Sequence, residues 1–191
     1  QNVDAPIGFT LAEEAIIAIP GENTTANFLL SYFLPNSGNK RIAVLFSEIE
    51  QAVISGKADI GLLIHENRFT YAERGLIKMA DLGKLWEEKT GLPTPLACIA
   101  VKNSIDVRTQ QLVGRLIRKS LEYSFANYPH ISSFVEMHAQ AMSKDVMRKH
   151  IDLYVNDYSI DLGEGGRKAI GAFYDIYRGV TAEASADLFV N

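Results

Sequence analysis

The sequence predicts an α/β fold built on a mainly parallel sheet, followed by a helical C-terminal region. Three observations carry this. Apolar runs at 15–19 (AIIAI), 41–46 (RIAVLF) and 58–64 (ADIGLLI) alternate with segments that open on helix-capping residues. The middle runs are apolar on both faces, as strands are when helices cover both sides of a parallel sheet. From about Val107 the alternation stops, and apolar residues recur at helical spacing to the end of the chain.

Taken in order, the first run stops at Pro20-Gly21, a turn pair. The stretch Glu22-Asn23-Thr24-Thr25 leads into ANFLLSYF, and Thr or Asn ahead of such a segment marks a helix N-cap. Residues 34–39 (LPNSGN) read as a loop before the strand at 41–46. Ser47 with Glu50 three residues on has the capping-box pattern, which opens a helix that ends at Gly56. The third run then delivers His65. Residues 76–82 (LIKMADL) suggest another strand. The only tryptophan, Trp86, lies in a short helix at 83–90, and GLPTP at 91–95 punctuates it. Residues 96–101 resume as strand. Beyond a seam at 101–107, Leu112, Leu116, Ile117, Leu121 and Tyr123-Ser124-Phe125 repeat at close to the 3.6-residue period. Residues 143–155 and 164–177 form two further amphipathic helices. Asn156-Asp157-Tyr158-Ser159 breaks the pattern between them, with Tyr154 as a core residue and Asn156 as a C-cap. The expected organisation is therefore an extended or partly ordered segment at 1–14, an α/β lobe at 15–104 and a helical region at 105–191.

Composition narrows the function. A net charge of −4, with no run of Lys and Arg, argues against a nucleic-acid partner. No apolar run approaches the ~20 residues of a membrane span. The single cysteine, Cys98, lies in the apolar run LACIAV, cannot form an internal disulfide, and is expected to be a small buried hydrophobe. The lack of paired cysteines fits a reducing compartment. The opening residues, QNVDAPIGFTLAEEA, lack the basic-then-apolar pattern of a signal peptide. A cytoplasmic protein is the expectation.

Parallel sheets bind ligands outside the carboxyl ends of their strands. Two stretches lie there: Pro20 to Ala26 after the first strand, and LLIHENRFTY (residues 62–71) around the end of the third. In the second stretch an apolar strand meets His65, Glu66, Asn67 and Arg68. Histidine is the side chain suited to proton transfer near neutral pH, although a histidine at a strand end is often only a hydrogen-bonded structural residue. Glu66 and Arg68 read equally as a structural ion pair or as groups that bias His65. In the first stretch a helix N-terminus presents unpaired N–H groups to an anion, with the hydroxyls of Thr24 and Thr25 beside it; plain N-capping is the alternative. The other histidines, His130, His138 and His150, have no zinc-site spacing. The P-loop, G-x-G-x-x-G and G-x-S-x-G patterns are absent.

Four stretches in order, AIPGENTTANFLL, DIGLLIHENRFTY, DLGKLWEEKTGLPTPLA and HIDLYVNDYSIDLGEGG, resemble the 1,4-dihydroxy-6-naphthoate synthase family of the futalosine route to menaquinone. The resemblance runs from about Ala15 to about Val190. It implies a fold similar to type II periplasmic binding proteins, with two α/β lobes around a ligand cleft. It implies a lyase that converts cyclic dehypoxanthine futalosine to 1,4-dihydroxy-6-naphthoate with release of a three-carbon fragment, using no metal or organic cofactor. His65 matches the family's proton acceptor, and Thr24, Thr25 and Ala26 match its substrate-binding turn. The implied partner is a small-molecule carboxylate substrate. Family members carry an opening segment that nothing here matches, so the expectation is a second lobe plus C-terminal helices with the first lobe incomplete. An exposed apolar face, inviting a homodimer, would follow. Two other readings share the fold: a solute-binding lobe that captures a carboxylate without chemistry, and a chorismate dehydratase-like sister enzyme.

Overall fold

The computed structural model describes residues 11–179 and 189, apart from 13, 36–37, 66 and 140–142. Of the expected N-terminal segment at 1–14, only Leu11, Ala12 and Glu14 fall within these. The chain forms two compact units, residues 1–94 and 95–191.

The first unit is built on a three-stranded parallel sheet of order β2-β1-β3, with β1 at Ile17–Ile19, β2 at Arg41–Ala43 and β3 at Ile60–Gly61. All three strands are shorter than the apolar runs that contain them. The central strand is buried on both faces, and its alternation sorts two cores. Ala18 faces Ile49, Ala52 and Ala58 on one side, whereas Ile17 and Ile19 face Leu30, with Ile60, Leu62 and Leu82 packed around them, on the other. Helix α1 (Thr25–Phe33) is capped by Thr24, whose Oγ1 accepts from the Asn27 amide at 3.2 Å. A Thr N-cap of this kind contributes ~1 kcal/mol. Helix α4 (Leu82–Thr90) is capped by Asp81 and buries Trp86 completely, and the indole meets the ring of Tyr32 edge-on at 5.7 Å.

The capping box expected at Ser47 does not form. Residues 46–48 make a 3-10 turn, helix α2 starts one turn later at Ile49–Ile54, and its N-cap position has no side-chain hydrogen bond. Glu50 is instead drawn into the interior, as described below. The strand expected at 76–82 is also absent. Leu76–Asp81 is irregular, with Ile77 and Met79 exposed, and Leu82 belongs to α4. Between β3 and this stretch lie helix α3 (Asn67–Thr70) and a 3-10 turn at Tyr71–Arg74 that closes on Gly75 at φ +76°.

The second unit is helical: α5 (Val107–Asn127), α6 (Ser133–His138), α7 (Lys144–Tyr154), α8 (Asp157–Ile160) and α9 (Gly163–Arg178). Asp106, Ser132 and Ser143 cap α5, α6 and α7 through their side chains. Residues 96–101, expected as strand, are irregular. Cys98 within them is exposed rather than buried, since among the described residues no strand pairs with this run to cover it. Asn156 is not a C-cap. Its Oδ1 accepts from the Tyr158 amide and its own amide donates to Ser159 Oγ, so it opens α8 in a capping box, while Val155 closes α7. Gly166 is closely packed: a methyl there would approach Tyr158 Cδ1 to 3.1 Å, so a neighbouring side chain would have to give by a few tenths of an ångström. Along α5, Ile117, Leu121 and Phe125 are half-buried, whereas Leu112, Val113 and Leu116 are exposed. Among the described residues no helix is long and apolar enough to cross a membrane.

Candidate functional site

The three parallel strands end on the same edge of the sheet, and the segments leaving them make the candidate site. β1 lies between its neighbours. Its exit, Pro20 to Thr24, therefore emerges between the exits of β2 and β3. The outer two meet directly: the ring of Phe46, just past β2, contacts the ring of His65, just past β3, edge-on at 5.0 Å. The pairing continues past the strands, with the Val44 amide donating to the Ile19 carbonyl and the Leu62 amide to the Ala18 carbonyl.

The β1 exit turns on Gly21, whose φ of +147° is open to glycine but rarely to other residues. The Thr24 hydroxyl is used twice within the turn, donating to the Gly21 carbonyl at 2.9 Å and accepting from the Asn27 amide. The turn is thus locked by Thr24. The first amides of α1, on Thr25 and Ala26, have no intrahelical acceptor. No acidic residue lies in the first turn of α1 to compete for them. Asn27 donates to the Glu22 carbonyl and accepts from Arg41, which also donates to Ser31. Partial burial lowers the Arg41 pKa, and its acceptors Asn27 Oδ1 and Ser31 Oγ are neutral oxygens on the flank of α1.

His65 is the only non-glycine residue among those described with a positive φ, +55°. The left-handed region costs an L-residue ~1–2 kcal/mol, and residues held there cluster at functional sites. His65 is half-buried. The segment that follows is fixed on two sides. Arg68 pairs with Asp81 at 3.2 Å, which ties α3 to the cap of α4. Asn67 is buried and donates through Nδ2 to Glu50 Oε2 at 2.8 Å. Arg74 donates to the same oxygen at 2.9 Å.

Of the residues singled out from the sequence, His65 and the Thr24-Thr25-Ala26 turn thus emerge from adjacent strands on one edge of the sheet. Glu66 lies outside the described residues, and Arg68 pairs with Asp81. In the sequence Glu50 reads as a capping-box residue, Asn67 as part of the polar cluster and Phe46 as strand; their contacts escape that reading because the partners lie 17 and 19 residues away in the chain. Among the described residues no three His, Cys, Asp or Glu side chains gather in a metal-binding group.

Residues 6–179 match the family described as menaquinone biosynthesis. The chain belongs to that family. Two of its relatives are named 1,4-dihydroxy-6-naphthoate synthase. One, from Thermus thermophilus, is 36% identical over 176 residues, covering 91% of this chain and 64% of the relative. Another, from Streptomyces coelicolor, is 37% identical over 175 residues, covering 90% of this chain and 60% of the relative. The chain therefore spans less than two thirds of the length of either relative. The crystal structure of an Archaeoglobus fulgidus protein is similar at a TM-score of 0.80 and 30% identity, over 90% of this chain and 64% of that one.

Proposed function

We propose that this chain carries the catalytic lobe of a carbon–carbon lyase that forms 1,4-dihydroxy-6-naphthoate from cyclic dehypoxanthine futalosine. In this reading His65 is the general base, and the amides of Thr25 and Ala26 hold a substrate carboxylate. The fold is that of one lobe of a type II periplasmic-binding-protein-like pair. The observation that carries the reading is the left-handed backbone of His65 at the exit of β3, beside the uncapped amides at the neighbouring exit of β1. Family membership and the two named relatives support the choice of reaction.

The chemistry suits these groups. The helix N-terminus is a ready anion site, and a carboxylate fixed there orients the ring to be cleaved. The imidazole removes one proton, the electron pair left behind starts ring opening and carbon–carbon cleavage, and formation of an aromatic product drives the step forward. A positioned base contributes ~10²–10⁴-fold.

The test is turnover of cyclic dehypoxanthine futalosine, followed by absorbance and mass of the naphthoate, with the 191-residue chain and the full-length gene product side by side. Product from either, lost by ~10²-fold or more in folded His65→Ala, is the expected result. Binding without turnover by the full-length protein would replace the enzyme with a solute-binding lobe, and loss of water from chorismate would replace it with the sister activity. Near-normal turnover in folded His65→Ala would remove the base assignment.

A further inference from the structure

Glu50 is the one buried carboxylate among the described residues, and the proposed chemistry leaves its place unexplained. It sits in the first turn of α2, 2% exposed, and its Oε2 accepts two hydrogen bonds. The donors bracket the segment that leaves His65. Asn67 is two residues past the histidine and starts α3, and Arg74 ends the 3-10 turn that follows. Arg74 also reaches Gln51 at 3.3 Å, so it grips α2 at two adjacent residues. The ring of Phe46, in the 3-10 turn that leads into α2, lies against the His65 ring. The imidazole and the chain just beyond it are thus both referenced to the same short segment, residues 46–51.

An ion pair between the buried Glu50 carboxylate and Arg74, whose side chain is 42% exposed, adds little stability, but it favours one geometry. Here the geometry imposed is that of a histidine in a backbone region it does not favour. The bond from Asn67 to α2 is one of the contacts, with the Phe46 ring another, that oppose relaxation of His65 towards a negative φ. We propose that Glu50 is a positioning residue: through Asn67 it holds the path of the chain after His65, and so aims the imidazole. This rests on the reading of His65 as the base. Asn67 transmits the constraint, and Arg74 neutralises the carboxylate that supplies it.

Asn67→Ala cuts the link while leaving the Glu50–Arg74 pair in place. Asn67→Ser, whose hydroxyl stops short of the carboxylate, is the second variant should the first not fold. Ile17→Val, buried at the amino end of β1 on the opposite face of the sheet from α2, is the control for a mild loss of core packing. Two readouts are taken. The first is the His65 ring ¹H–¹³C NMR signal and its pH titration, assigned by its loss in His65→Gln. The second is kcat and KM for the naphthoate-forming reaction across pH, with the full-length protein. In the Asn67 variant the His65 signal is expected to move or split, and kcat to fall about tenfold or more, as small misplacements of a reacting group do. KM stays within about twofold, and Ile17→Val changes none of these. An unmoved His65 signal in a folded Asn67 variant overturns the inference, and so does a moved signal with unchanged kcat. If the parent protein shows no turnover, the functional reading fails instead, and the NMR signal alone then decides whether Glu50 positions His65.

Discussion

Replacing Gly61 with alanine tests whether α2 and β3 are packed as closely as the site requires. Gly61 pairs with Ala18 in the sheet, and α2 crosses directly over it. A methyl group there would sit 2.7 Å from Ile49 Cγ2 and 3.0 Å from Val53 Cγ2. Carbon atoms rest at about 3.5–4.0 Å, so the helix must retreat by roughly 1 Å. Ile49 cannot swing aside, because it is fully buried and its β-branched side chain has one favoured helical rotamer. Overpacking of this kind costs ~1–3 kcal/mol, offset by ~0.4–1 kcal/mol from the lost freedom of glycine in the unfolded chain. The net expectation is a loss of ~1–2 kcal/mol. The assay is urea unfolding followed by Trp86 fluorescence, since the only tryptophan is buried in the same unit. With a slope of ~2 kcal/mol per molar, the midpoint should fall by about 0.5–1 M. Adding Ile49→Ala removes the closer clash, so the double variant should lose less than the sum of the two single losses. An unchanged or higher midpoint in Gly61→Ala, or simple additivity in the double variant, would refute the packing argument.

Two further predictions concern the second unit. Hydrogen bonds from Thr109 hold the Asp106 carboxyl below its ordinary pKa at the N-cap of α5. A carboxyl lowered by folding stabilises the folded state above its unfolded pKa of about 4. That contribution is lost as pH falls through the lower folded value. Helicity measured by circular dichroism should therefore show an acid-limb loss that Asp106→Asn, a capping residue that does not titrate, removes; identical acid limbs in the two proteins would contradict this. Cys98 should take up one equivalent of a thiol reagent in the native protein, because it is exposed. Labelling that waits for denaturant would place the 96–101 segment under cover.

Signals that act within a few residues were legible in the sequence. The turn at Pro20-Gly21, the Thr24 cap of α1 and the ends of α2 and α4 near Gly56 and Gly91 depend on contacts no more than about one helical turn away. Double-faced burial is expected of the middle runs, but it falls on β1, the first run in the chain, because β1 is central in the sheet while β2 and β3 are edge strands and only partly buried. The same local reasoning failed wherever a distant partner decided the outcome. Glu50 has the spacing of a capping-box residue after Ser47, yet its carboxylate turns inward to Asn67 and Arg74, 17 and 24 residues on. The apolar run at 96–101 has the composition of a strand but pairs with no strand among the described residues; it is irregular, and Cys98 is exposed. His65 could be recognised as an ionisable group at a strand exit. Its left-handed backbone could not, because that conformation is unfavourable on its own and persists only where tertiary contacts, here the ring of Phe46 and the anchored Asn67, hold the chain to it.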